Sequence, residues 1–231
     1  MMMRMFQNVF NKSANAICAC FYAYVFYFDY RLSQKYPQLN PVLGAYITKF
    51  VWLTMINLLI QLLYHTTAAI VAICSIRPRS FMSKFHFIAT AIVFPASFTV
   101  VMLFWGLYLM DPATVTRKEA RFVFDFKWFN HALHTFPLFA MLLDFSIWHH
   151  RCPSKVSALK AILCFSLFYI IHIHFFYVCF NFWAYPILAQ MSFRGRAWFI
   201  FFCTIFMFCA FVIGDAFNRV LPRKLTSVME E

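Results

Sequence analysis

Charge is scarce in this chain. Only 12% of its 231 residues are Asp, Glu, Lys or Arg, and the acidic residues number 8, whereas a soluble domain carries about 25% charged residues. That deficit excludes an ordinary water-soluble domain and points to a membrane protein. Glycine is scarcer still. Gly44, Gly106, Gly195 and Gly214 are the whole set and each stands alone. The GxSxG elbow of soluble serine hydrolases is therefore absent. With no internal repeat either, the paired broken helices of a transporter are disfavoured. Cysteine occurs eight times but never as CxxC, so neither a disulfide framework nor a zinc ribbon is indicated. Cys74, Cys164, Cys179, Cys203 and Cys209 lie in apolar runs and read as small buried hydrophobes. The net charge of +12 has no contiguous basic face behind it. Lys and Arg sit in short loops, where they anchor helix ends to anionic headgroups; nucleic acid is not an expected partner, and the bilayer is.

What the chain does have is apolar length: 63% hydrophobic and 22% aromatic residues, with 33 Phe. The apolar runs reach roughly 18–28 residues, too long for barrel strands of about 10. The pattern predicts an all-α polytopic membrane protein, one domain over residues 1–231, with six transmembrane helices at about 14–30, 45–76, 85–110, 128–149, 157–180 and 197–218. The first run reads as a helix rather than a signal peptide, since no cleavage site follows and the rest is as apolar. Six spans put both termini on one side. Eleven Lys and Arg there against nine opposite favour cytoplasmic termini, in an endoplasmic-reticulum, endomembrane or plasma-membrane setting.

Candidate chemistry lies where polar groups interrupt these runs. The stretch Trp128–Pro153 carries Asn130, His131, His134 and Thr135 near its start and His149 and His150 at its end. Ionisable groups at membrane depth are costly and are functional candidates for that reason. Pro137 follows His134 and cannot donate to the carbonyl of Leu133, so the helix should kink or loosen beside the histidine. An interfacial histidine cluster is the competing reading. In the second helix Thr54, Asn57, Gln61 and His65 step by three, four and four, which sets them on one narrow stripe. Such a stripe faces a lined cavity or glues helices together. Thr54 and His134 lie at similar depth on one side of the bundle, in a cavity expected to open toward the loops at 31–42 and 111–127. A hydroxyl beside a histidine is a nucleophile and a base. The alternative for Thr54 is a bond back to the carbonyl of Phe50. The sequence identifies no oxyanion donor; Asn57, on the same stripe, is one candidate. His131, His134, His149, His150, His172 and His174 also suggest the histidine boxes of di-iron lipid oxidases. The 149–150 pair should exit opposite His134, however, whereas a metal needs its ligands at one depth. No metal and no other cofactor is expected.

Several of these residues fall into a pattern. N-H-A-L-H-T at 130–135, Pro137, Asp144, His149-His150 with Pro153-Ser154, W-A-Y-P at 183–186 and G-D-x-x-N at 214–218 together resemble the androgen-induced protein family, and K-F-V-W-L-T at 49–54 is similar to its threonine-bearing motif. The resemblance runs from the second helix to Asn218. It implies a multi-pass transmembrane hydrolase that cleaves fatty acid esters of hydroxy fatty acids, with the nucleophile carried onto Thr54 and the base onto His134. This sequence departs from the pattern in the order of Lys49 and Trp52 before the threonine, in Cys152 before Pro153, and in Asp rather than Glu at 144. The alternatives are a non-catalytic lipid- or partner-binding membrane protein and a di-iron oxidase.

Overall fold

The computed structural model describes residues 2–76 and 78–221, with side chains from Ser13 onward. Arg4, Lys12, Arg77, Arg223 and Lys224, which entered the sidedness count, and the tail after Leu221 lie outside the described side chains. The described residues are helical with no strand. In chain order they form α1 (Met2–Lys35), α2 (Leu53–Cys74), α3 (Arg79–Ile88), α4 (Phe94–Met110), α5 (Lys127–His134), α6 (Phe136–Trp148), α7 (Lys155–Phe180), α8 (Pro186–Gln190) and α9 (Phe193–Val220).

Four helical runs are long and apolar enough to cross a membrane: Leu53–Cys74, Arg79–Met110, Lys155–Phe180 and Phe193–Val220. They match the second, third, fifth and sixth predicted spans. The first predicted span lies within α1, which runs past it at both ends. The fourth does not form one helix. It divides at Thr135 (φ −134, ψ −52) into α5 and α6. Pro137 is the physical reason: its missing N–H and its ring break the ladder one turn upstream. The expected loosening beside His134 is thus a full break. A second proline acts more gently. Pro95 near the start of α4 is preceded by a π-helical turn over Ala89–Val93, which joins α3 to α4 by widening the backbone spiral upstream of the ring.

The second predicted helix also starts later than expected. Residues Tyr46–Val51 make a 3-10 turn, Trp52 is extended (φ −82, ψ 131), and α2 begins at Leu53. Thr54 is therefore in the first turn of its helix rather than deep inside one.

The α3–α4 span is the centre of the bundle, with 61% of its apolar window buried. α7 and α9 are peripheral, with 17% and 22% buried, and turn Leu163, Leu167, Ile171, Phe201 and Phe202 outward as a lipid-facing surface. One apolar core joins Tyr22 and Val25 of α1 to Met55 and Leu58 of α2 and Phe129 and Leu133 of α5. A second joins Tyr64, Phe94, Met141 and Phe145 near the far ends of α2 and α6. Phe94 also sits against Gly214 of α9, where a Cβ would come within 2.7 Å of the ring.

Candidate active site

The start of α2 is held by its neighbours. Trp52 donates its indole N–H to the carbonyl of Ala184 at 2.6 Å. The backbone N–H of Leu53, one of the donors a helix leaves unpaired in its first turn, reaches the hydroxyls of both Tyr169 and Tyr185 at 3.1 Å. Just upstream, Lys49 forms a buried ion pair with Asp29 of α1 (2.5 Å) and donates to Ser33 at 3.0 Å. The carbonyl of Phe50 accepts from Nε2 of His172 at 3.0 Å. The Phe50 carbonyl, the alternative partner for Thr54, is thus engaged by a tertiary bond, and Thr54 is half-buried and lines the cavity.

His134 is fixed on three sides. Its ring stacks on Phe104 of α4, centroids 3.4 Å apart and planes within 6°. Nδ1 lies 3.1 Å from the carbonyl of Asn130 and 2.7 Å from the Asn130 side-chain oxygen. A carbonyl can only accept, so Nδ1 carries the hydrogen and Nε2 carries the lone pair. The break at Thr135 is sealed by Trp105, whose indole N–H reaches the carbonyl of His134 at 2.8 Å and the Thr135 hydroxyl at 3.0 Å. A helix ended by proline would otherwise leave carbonyls unpaired in an apolar setting, at a cost of several kcal/mol each.

Thr54 and His134 line the same cavity, of about 360 Å³. Its rim comes from Gln38–Pro41 and from residues 115–124, the two loops toward which the sequence aimed it. A second chamber of about 130 Å³ adjoins between α4, α7 and α9, and Thr54, Phe104, Val115 and Tyr185 line both. Thr54 thus stands at the junction of the two.

Tyr185 is the residue that sequence reasoning missed. W-A-Y-P reads as an interfacial aromatic turn, and Trp183 does stack on Tyr177 at 4.3 Å. But Tyr185 also accepts from Leu53 and lines both chambers beside Thr54. Tyr169 commits its hydrogen to the carbonyl of Val51 at 3.1 Å. The only signal in the sequence was a tyrosine before a proline.

The polar stripe of α2 parts company after Thr54. Asn57, Gln61 and His65 are buried and line neither cavity. Gln61 donates to Ser97 at 2.6 Å, Ser97 reaches Asn57 at 3.3 Å, and His65 lies 3.1 Å from Gln61. The Asn15 amide, turned to suit its neighbours, donates to His65 at 2.6 Å and to Asp144 at 3.2 Å and accepts from Trp148 at 3.1 Å. Beyond it Asp144 accepts from Tyr64 at 2.6 Å and from His150 at 2.8 Å, and His86 meets the far side of His150 at 2.8 Å. This is helix–helix bonding, and it takes Asn57, the candidate oxyanion donor, into the network and away from the cavity. The remaining histidines are also individually engaged. His131 reaches Thr135 at 3.0 Å and His174 the carbonyl of Ile170 at 2.8 Å. Among the described residues no three His, Cys, Asp or Glu converge as a metal site.

Comparison with known proteins places these features in context. The family pattern described as FAR-17a/AIG1-like protein matches residues 12–219. The human androgen-dependent TFPI-regulating protein is 26% identical over 199 residues, covering 84% of this chain and 86% of its own. The human androgen-induced gene 1 protein is 27% identical over 192 residues, 78% and 80% of the two chains. The androgen-dependent TFPI-regulating protein of Mus musculus is 29% identical over 175 residues, 73% and 75%. No solved structure matches.

Proposed function

The chain belongs to the FAR-17a/AIG1-like family, and from that premise we propose that it is a membrane-embedded lipid esterase that cleaves fatty acid esters of hydroxy fatty acids, with Thr54 as nucleophile and His134 as base. The observation that carries the reading is one cavity lined by both a threonine and a histidine whose Nδ1 is already committed to Asn130. That commitment presents Nε2 as the basic nitrogen, the same division of labour by which a third group orients the base in other nucleophile–base pairs.

The reaction balances with these groups alone. Nε2 of His134 takes the proton of Thr54, and Oγ1 adds to the ester carbonyl. The tetrahedral oxyanion forms beside the Tyr185 hydroxyl, which donates to it, at the positive N-terminal end of α2. The carbon–oxygen bond to the alcohol breaks, and His134 returns its proton to the departing oxygen. An acyl-threonine remains. Water enters, gives a proton to His134 and attacks the acyl carbon, and Thr54 leaves with that proton as the free acid is released. Phe104, Phe124 and Phe129 keep the walls apolar for the chains.

The test is a fluorophosphonate probe on detergent-solubilised protein, read beside ester hydrolysis and thermal unfolding. Wild type is expected to label, and Thr54→Ala to lose both labelling and at least about 10³-fold of the hydrolysis with the unfolding temperature nearly unchanged. Full hydrolysis by folded Thr54→Ala overturns the nucleophile. Lipid binding without hydrolysis in wild type assigns the cavity to a non-catalytic carrier.

A further inference from the structure

One side of the rim of the larger chamber is built unlike the other. It is a 3-10 helix, Lys118–Asp125, whose Ala120, Val123 and Phe124 line the chamber. Such helices seldom pass three or four residues, because their hydrogen bonds are poorly aligned. Among the described residues, no hydrogen bond joins residues 117–125 to anything beyond their own backbone and Phe126. Rings hold the segment instead. Phe122 meets Tyr36 edge-on at 4.9 Å, Phe124 meets Tyr108 at 5.2 Å and Phe104 at 5.7 Å, and the Arg117 guanidinium lies 4.0 Å over Phe182. The opposite rim is tied at both ends. The Tyr36 N–H reaches the carbonyl of Leu32 at 2.9 Å, and the Val42 N–H reaches the Thr48 hydroxyl at 3.2 Å.

The ring-held segment has a joint at each end. Residues 115–117 are turn and bend, and Phe126 (φ −75, ψ 72) belongs to neither neighbouring helix. Beyond the second joint Phe129 is buried and fixes α5, which carries His134. The outer face is basic. Lys118 is exposed, and Arg121 follows one 3-10 turn later; neither lines a chamber. Arg121 forms no ion pair among the described residues, and its Nε is buried without a hydrogen-bond partner. A guanidinium N–H without an acceptor is costly and suits a phosphate. Exposed Phe126, Lys127 and Trp128 come next, the mixture of cation and aromatic that settles at a headgroup layer.

We propose that residues 115–127 are a lid over the Thr54–His134 chamber and that anionic lipid headgroups open it. Their phosphates take Lys118 and Arg121, and the 3-10 helix lifts from Tyr36, Tyr108 and Phe182 about its two joints. No hydrogen bond to another helix has to break. The lid carries four cations, Arg117, Lys118, Arg121 and Lys127, against the two acids Glu119 and Asp125. That small excess draws it to an anionic surface and lets it close again at a neutral one. The consequence for ester cleavage rests on the esterase reading; the motion does not.

The experiment places the full-length protein in vesicles of phosphatidylcholine alone or of equal parts phosphatidylcholine and phosphatidylglycerol. Peptide-resolved hydrogen exchange reads the lid, and the rate of fluorophosphonate labelling reads access to Thr54. Anionic vesicles are expected to speed both exchange over residues 118–126 and labelling by about tenfold, the scale of one or two basic side chains meeting an anionic surface. Exchange in α6 and α7 is expected to stay unchanged, and high salt to cancel the gain. The double variant Lys118→Gln, Arg121→Gln is expected to lose the response and keep the wild-type rates in phosphatidylcholine. Phe122→Ala is expected to exchange fast in both vesicles. Equal exchange over 118–126 in the two vesicles, or a rise that persists in the double variant, overturns the proposal whatever the labelling does. Labelling equally fast with the lid open and closed overturns its role as a gate. A lid that responds while nothing labels keeps the lid and removes the esterase reading.

Discussion

The two ends of the bundle each carry a histidine bonded to a fixed partner, yet they are different devices. At one end His134 stacks on Phe104, gives its Nδ1 hydrogen to Asn130 and lines a cavity. At the other, His150 sits between Asp144, Tyr64 and His86, with its side chain and that of Asp144 fully buried, and lines neither chamber. On paper the second is the better triad, an aspartate and a histidine beside a hydroxyl. What it lacks is space. Every polar atom that could react is spent on a neighbour, and no substrate carbonyl can approach. A satisfied buried network specifies how helices meet; a half-satisfied one beside a cavity can do work.

The contrast is broken most forcefully at His134. His134→Gln keeps a hydrogen-bonding side chain of similar bulk but no base. It is expected to cut ester hydrolysis by about 10³-fold, with unfolding near that of wild type. Asp144→Ala is the mirror image. It strips the buried acceptor from Tyr64 and His150 and should cost about 3 kcal/mol of stability, seen as a lower unfolding temperature, while probe labelling per folded molecule holds. If Asp144→Ala instead abolishes labelling in folded protein, the two ends are coupled and the distinction fails. Tyr185→Phe sharpens the picture with the smallest change. Loss of one donor to the oxyanion predicts about a 10²-fold fall in kcat with KM little altered. A shift confined to KM would make Tyr185 part of the chain-binding wall instead.

Much of this architecture was legible in the chain. Hydropathy located four spans, the fifth and sixth to within four residues at each end, and the proline after His134 announced a kink or loosening that the structure turns into a full break. Helix boundaries were harder. α2 begins eight residues after the start expected for it, because an apolar 3-10 turn and an apolar helix look alike in composition. The stripe Thr54–Asn57–Gln61–His65 was correctly placed on one face, but it read as one surface lining one cavity. The structure divides it, because Ser97 of α4 and Asn15 of α1 arrive against its last three members and not its first. Of the motif residues at the far end, Asn218 holds the carbonyl of His150 and Ser154 caps α7 by accepting from Ser157 at 3.2 Å. They serve the frame rather than the reaction.

The sequence by itself determined that this protein is helical and belongs in a membrane. A chain with so few charges can hide its apolar length only in lipid, and in lipid a helix satisfies its own backbone. It also determined that a proline would free the backbone beside a histidine. Tertiary structure alone decided which of the polar groups would face space. That depends on what packs opposite each one: Phe104 and Trp105 around His134, two tyrosines at the head of α2, and a loop arginine lifted onto Phe182. Those partners lie tens of residues away from the groups they position, and no local pattern of spacing encodes their meeting.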